Sequence, residues 1–179
     1  YGDEIMRDVE LEKRIQADLD AGQNVWVVGD VHGFFQSMTA LCSQLNLREG
    51  DWVVFLGDLV DRGPNGFGVV HHVMHHPQCV SVRGNHEDMM VRQFTMDKLR
   101  TPDLDVLLWM RNGGNTTVAS YMDASRDSTG AVDEEGLEHL AREHTDWMAR
   151  LPTHLVLNRW RLVHAGYSPD APLDGQRDE

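Results

Sequence analysis

With 179 residues, 41% of them hydrophobic, the chain can bury the core of one domain, and a single domain over residues 1–179 is the expectation. The formal charge of -13, from 29 acidic residues against 16 lysines and arginines, repels a polyanion, so nucleic acid is not an expected partner. The apolar runs Val25 to Val28 and Trp52 to Leu56 are broken by polar residues within a few positions, so no membrane partner and a cytoplasmic address are expected.

In chain order, residues 8 to 19 read as an amphipathic helix with Leu11, Ile15 and Leu19 on one face, closed by Gly22; residues 1–22 should cover a sheet. A repeating pattern follows. Val25 to Val28 ends in Gly29-Asp30-Val31-His32-Gly33 and precedes a helix over Gln36 to Leu47. Trp52 to Leu56 ends in Gly57-Asp58, and a helix runs from Gly66 to His76 after Arg62-Gly63-Pro64. Val80 to Val82 ends in Arg83-Gly84-Asn85-His86, with a helix over Glu87 to Leu99. Cys42 and Cys79 lack CxxC spacing and read as small core residues. Helices are expected at Leu104 to Arg111, Thr116 to Tyr121 and Glu134 to Arg150, strands at His154 to Leu157 and Arg161 to Val163, and a mobile loop at Asp123 to Glu135.

Three successive strand, loop, helix units imply parallel pairing with right-handed crossovers, so the polar clusters meet at the carboxyl edge of one sheet. There Asp30, His32, Asp58, Asn85 and His164 offer carboxylate, imidazole and amide oxygen from four strand tips, a set suited to two metal ions. Oxygen and nitrogen donors without thiolate fit manganese first, with iron or zinc as alternatives. Asp58, central in the sequence and the expected sheet, is the natural bridging carboxylate. Two anionic ligands against two divalent ions leave a positive site that attracts phosphate despite the acidic surface.

Gly29-Asp30-Val31-His32-Gly33, Gly57-Asp58-Leu59-Val60-Asp61-Arg62-Gly63 and Gly84-Asn85-His86-Glu87 resemble the three signature motifs of calcineurin-like metallophosphoesterases of the phosphoprotein phosphatase type. Trp109-Met110-Arg111-Asn112-Gly113-Gly114 and Val163-His164-Ala165-Gly166 are similar to segments of its bacterial and phage serine/threonine phosphatases. The resemblance covers roughly Val25 to Pro172 and implies an α/β sandwich of two mixed sheets flanked by helices, incomplete at the C-terminus. It implies that Asp30, His32 and Asp58 hold one divalent ion, that Asp58, Asn85 and His164 hold the second, and that metal-activated hydroxide attacks phosphorus in line without a phosphoenzyme. It further implies that His86 protonates the leaving oxygen, that Asp61 orients His86, and that Arg62 and Arg83 grip the phosphate. Gly29, Gly57, Gly84 and Gly166 are expected where a side chain would crowd the metals or the turn needs positive φ.

The family pattern continues to a further arginine and a Gly-His segment carrying the last ligand of the second metal. Neither occurs, since no histidine follows His164. Pro169 to Glu179 still resembles the stretch upstream of them, so C-terminal truncation is the expectation, with those motifs encoded downstream and weak or no turnover without them.

Blander readings exist for single residues. Asp30 could cap a helix, His86 could satisfy a helix start, and Asp61 could merely pair with Arg62. The run His71-His72-Val73-Met74-His75-His76 has histidines at i, i+4 spacing, yet its helix leads away from the strand tips and it is read as carrying no metal. His139, His144 and His154 read as surface or packing residues, and Asn112-Gly113-Gly114 as either a helix stop or a substrate wall.

The leading functional expectation is a phosphoric monoester hydrolase acting on phosphoserine or phosphothreonine proteins and on small phosphate esters. A symmetric dinucleoside tetraphosphatase is the near rival; Asn112-Gly113-Gly114, and Glu87 where those enzymes usually carry Asp, favour the phosphatase. A non-catalytic metal or phosphate-binding module and a nuclease are the remaining options, the last disfavoured by charge.

Overall fold

A computed structural model describes residues 7–95 and 102–172. Its centre is a parallel sheet in the order β1 (Val25–Val28), β2 (Trp52–Phe55), β3 (Cys79–Ser81). Each strand is short, and β1 and β2 consist of Val, Trp and Phe, residues that pack well on a pleated surface. Alternation then sorts the side chains of β2 to two faces. Val53 and Phe55 join one core cluster, and Trp52 and Val54 join another on the opposite face. Burial on both sides explains why this strand reads as an unbroken apolar run.

The first face carries α2 (Phe35–Gln44), α3 (Gly66–His75), α4 (Asn85–Thr95), α6 (Asn115–Ala124) and α7 (Glu134–Ala149), whose Met38, Val69, Met90, Tyr121 and Met148 share the cluster of Val53 and Phe55. The second face carries α1 (Val9–Asp20) and the antiparallel pair β4 (His154–Val156) and β5 (Arg161–Val163), through Ile15, Leu155 and Leu162. Asp8 caps α1 by accepting from the Leu11 amide at 2.9 Å. Within α1, Glu12 is buried rather than solvated, because it takes two bonds from Arg7 and accepts from the Val156 amide at 2.9 Å. This carboxylate pins the helix to β4.

The α/β architecture is the expected one. Among the described residues, one sheet is wholly parallel and the other wholly antiparallel, rather than both being mixed. The helix expected to reach Leu47 stops at Gln44, where Asn46 takes a left-handed φ of 47°. Of the helix expected over Glu87 to Leu99, residues 96–99 lie outside the described residues. The segment from Asp123 to Glu135, expected as a mobile loop, holds a bridge between Arg126 and Val132 and a turn organised by Asp127, whose Oδ1 accepts from the Thr129 amide, the Thr129 hydroxyl and the Ala131 amide. After α5 (Pro102–Trp109) the chain makes a π-type turn at Met110–Gly114 and kinks at Gly113, with φ of 103°. Asn112-Gly113-Gly114 is thus a kink between two helices, and Gly113 accepts from the Arg62 amide at 3.2 Å.

Candidate metal centre

Because β1, β2 and β3 run parallel, their carboxyl ends release three loops side by side. The Val31 and His32 amides both donate to the Asp58 carbonyl, at 3.1 and 2.8 Å, which ties the first loop to the second. Glu87 ties the second loop to the third. This fully buried carboxylate accepts from the amides of Asp58, Leu59 and Gly84, each at 2.8 Å. Its pKa is raised, because burial and the Asp58 charge outweigh those three donors. Gly84 is required by close approach: a Cβ there would overlap Asp58 Oδ1.

The backbone is strained where these loops meet. His32, Asp58, Asp61 and Arg62 all adopt positive φ, from 45° to 71°, a region costly for residues with a Cβ and concentrated at functional sites.

Asp58 lies in the middle of the resulting cluster. Its Oδ2 is 3.5 Å from His32 Nε2 and 3.8 Å from His86 Nε2, and its Oδ1 is 3.4 Å from His164 Nε2. Asp30 Oδ2 is 3.7 Å from His32 Nε2, and Asn85 Oδ1 is 3.0 Å from His164 Nε2. Two groups of potential ligand atoms therefore share one carboxylate: His32, Asp58 and His86, and Asp30, Asp58 and His164, each with its atoms within 4.8 Å of one another.

The histidine tautomers suit metal binding. His32 Nδ1 lies 2.9 Å from the Val60 carbonyl and His164 Nδ1 2.8 Å from the Leu56 carbonyl. Each Nδ1–H is donated to the backbone, which leaves the Nε2 lone pair facing Asp58. With a carboxylate reached from both sides, an amide oxygen and no sulfur, the donor set fits a pair of divalent cations.

His86 is held differently. Its Nδ1 is 2.7 Å from Asp61 Oδ2, and both residues are buried. Burial pushes the His86 pKa down, but the bond to Asp61 and the charges of Asp58 and Asp61 outweigh it, so the net direction is up despite the opposing Arg62. Asp61 is saturated in turn. Trp109 Nε1 donates to both its oxygens at 3.0 Å, and the Thr117 hydroxyl donates to Oδ1 at 2.7 Å while accepting from the Asp61 amide at 2.9 Å.

The structure thus brings together Asp30, His32, Asp58, Asp61, Asn85, His86 and His164. Exposed Arg62 joins them by donating to Nε2 of His32 at 2.7 Å and of His86 at 3.1 Å. Arg83 is engaged elsewhere: its Nε lies 3.1 Å from Asp88 Oδ1 and its Nη1 donates to the Ala149 carbonyl at 3.2 Å. Of the glycines expected to avoid crowding, Gly57 and Gly84 meet backbone or Asp58, whereas a Cβ at Gly29 or Gly166 meets no protein atom within 4 Å. Sequence reasoning gave no role at the site to Trp109, Thr117 or the Glu87 clamp. Trp109 lies in a family-like segment, but Thr117, 56 residues from Asp61, carries no local signal.

A family model described as calcineurin-like phosphoesterase matches residues 23–177. Serine/threonine-protein phosphatase 2 of Escherichia coli strain K12 is 33% identical over 159 residues, covering 86% of this chain and 63% of that protein. A symmetrical bis(5'-nucleosyl)-tetraphosphatase of Citrobacter koseri is 35% identical over 100 residues, covering 48% of this chain and 36% of that one. The chain spans less than two thirds of the length of these curated relatives. In fold it is similar to the crystal structure of a protein provisionally identified as a diadenosine tetraphosphatase, with TM-score 0.53 and 22% identity over 87% of this chain and 60% of that one. Among the described residues no helix is long and apolar enough to cross a membrane. With the family match running through every loop that surrounds Asp58, the chain belongs to the calcineurin-like phosphoesterases, with relatives among both bacterial protein phosphatases and dinucleoside tetraphosphatases.

Proposed function

We propose that this chain forms the metal-holding part of a phosphoric monoester hydrolase acting on phosphoserine or phosphothreonine in proteins, and on small aryl phosphates. The observation that carries the reading is the Asp58 carboxylate, one oxygen beside His32 and the other beside His164, next to a His86–Asp61 pair at 2.7 Å. Asp30, His32 and Asp58 would hold one divalent ion and Asp58, Asn85 and His164 the other, with manganese foremost and iron or zinc as alternatives. When bound, such ions activate water and offset the charge of the phosphate.

The remaining work falls to side chains of this chain. His86 stays outside the coordination sphere in this reading, because its bond to Asp61 and raised pKa suit it to hand a proton to the leaving oxygen. Asp61 keeps the ring in one tautomer. Arg62, at the exposed mouth, offers a planar fork of donors to the non-bridging phosphate oxygens. Arg83 would do the same only after leaving Asp88 and Ala149, so its share in binding is the smaller one.

The second reading, dinucleoside tetraphosphate hydrolysis, is favoured by the tetraphosphatase relative at 35% identity. Turnover of a phosphoserine peptide and of diadenosine tetraphosphate, compared in the same manganese buffer on a chain that also carries the family's later arginine and Gly-His segment, separates the two: faster peptide cleavage is expected, and the opposite order overturns the protein phosphatase reading. Manganese titration of that same longer chain, followed by electron paramagnetic resonance, tests the centre itself. Two ions with a spin-coupled signal are expected, and the coupling disappears in Asp58→Asn; an uncoupled or metal-free wild type sinks the proposal.

A further inference from the structure

By sequence alone the histidine run of α3 is assigned no metal, since the helix leads away from the strand tips. The fold adds a partner that spacing could not show. His71 and His75, both exposed and one turn apart, have ring centroids 4.3 Å apart. His144 of α7 lies against them, its centroid 5.8 Å from that of His71.

Three details suit His75 and His144 to bind a ligand. His75 Nδ1 lies 2.8 Å from the His71 carbonyl, so its N–H is donated to backbone and its Nε2 lone pair is free to bind. His144 is fully buried, with Nδ1 2.7 Å from the Tyr121 hydroxyl and Nε2 lacking any hydrogen-bond partner. A buried ring nitrogen left in this state is uncommon and calls for a ligand. Burial, followed by the neighbouring His71 and His75, holds the His144 pKa down at about 4, which keeps that ring neutral and able to coordinate near neutral pH.

Zinc to imidazole bonds of about 2.0–2.1 Å put the centres of two coordinated rings roughly 5 Å apart. His71 and His75 are already within that reach; the nitrogens of all three rings do not yet lie within 4.8 Å of one another, so binding requires the exposed His71 and His75 to turn toward the fixed His144.

We propose that His71, His75 and His144 form a second metal site, separate from the Asp58 centre, for a borderline cation such as zinc or nickel. A set of imidazoles without carboxylate selects zinc or nickel over manganese. Bound there, the ion clamps α3 to α7, two helices of the same core face.

The test compares Asp58→Asn, which disables the shared carboxylate, with the same chain also carrying His71→Ala and His75→Ala. Zinc is titrated by calorimetry, and cobalt absorption reports the ligand geometry. One zinc that persists in Asp58→Asn and weakens at least tenfold in the triple variant is expected, together with a zinc-dependent rise in melting temperature only in the former. Both substituted histidines are exposed, and circular dichroism verifies that the fold survives. No zinc bound by Asp58→Asn, or equal affinity in the triple variant, overturns the site. His144→Gln is expected to weaken zinc at least tenfold and alter the cobalt spectrum; an unchanged spectrum and affinity remove His144 as the third ligand.

Discussion

Asp61 shows how one buried carboxylate is made tolerable. It accepts from His86, Trp109 and Thr117, so no oxygen is left without a donor in a site sealed from water. Trp109 touches neither expected ligand set, yet it sets the direction in which Asp61 points at His86. Trp109→Phe keeps the ring in the core and removes only the N–H. The expected outcome is a fall in kcat of about tenfold, equivalent to about 1.4 kcal/mol, with KM nearly unchanged. Replacing the proton donor itself, in His86→Asn, is expected to cost about 10²–10⁴ in kcat. Steady-state kinetics on an aryl phosphate, in the chain carrying the later arginine and Gly-His segment, reads both, and a Trp109→Phe enzyme as slow as His86→Asn would mean that the indole does more than orient.

Between elements, the site depends on loops that share hydrogen bonds rather than on any one helix or strand. Glu87 opens α4 but serves the loops after β2 and β3, through the amides of Asp58, Leu59 and Gly84. Glu87→Gln fits the same space and exchanges an acceptor oxygen for an NH₂ group, which faces at least one backbone N–H that it cannot accept from. A loss of about 1–3 kcal/mol in unfolding free energy is expected, since a buried donor is left unsatisfied. Metal affinity should fall with it, because the strained φ of 52° at Asp58 is no longer held from below. Denaturant unfolding of the metal-free chain and manganese titration check the two parts separately.

At the scale of the whole molecule, pH and metal both bear on stability. His144 has a folded pKa of about 4 against an ordinary value of 6.5. Its neutral form is favoured by the fold, so the stability it contributes is complete above pH 6.5 and declines as pH falls towards about 4, where the unfolded chain binds the proton first. The unfolding midpoint of wild type should drop through that window more steeply than that of His144→Gln, whose side chain does not titrate. A chelator should lower the melting temperature of manganese-loaded chain, because an ion bound only by the folded state stabilises it by mass action. The sequence by itself determined the alternation of strand and helix and the glycine-flanked Asp, His and Asn tips, since periodicity and turn chemistry are local. It also determined that parallel strands would carry those tips to one edge, which follows from chain connectivity. Only the tertiary structure decided that Trp109 and Thr117 support Asp61, that Arg83 donates to the Ala149 carbonyl, and that His144 meets His71. Those pairings join residues far apart in the chain and are set by how helices pack on the sheet, which no local pattern of residues encodes.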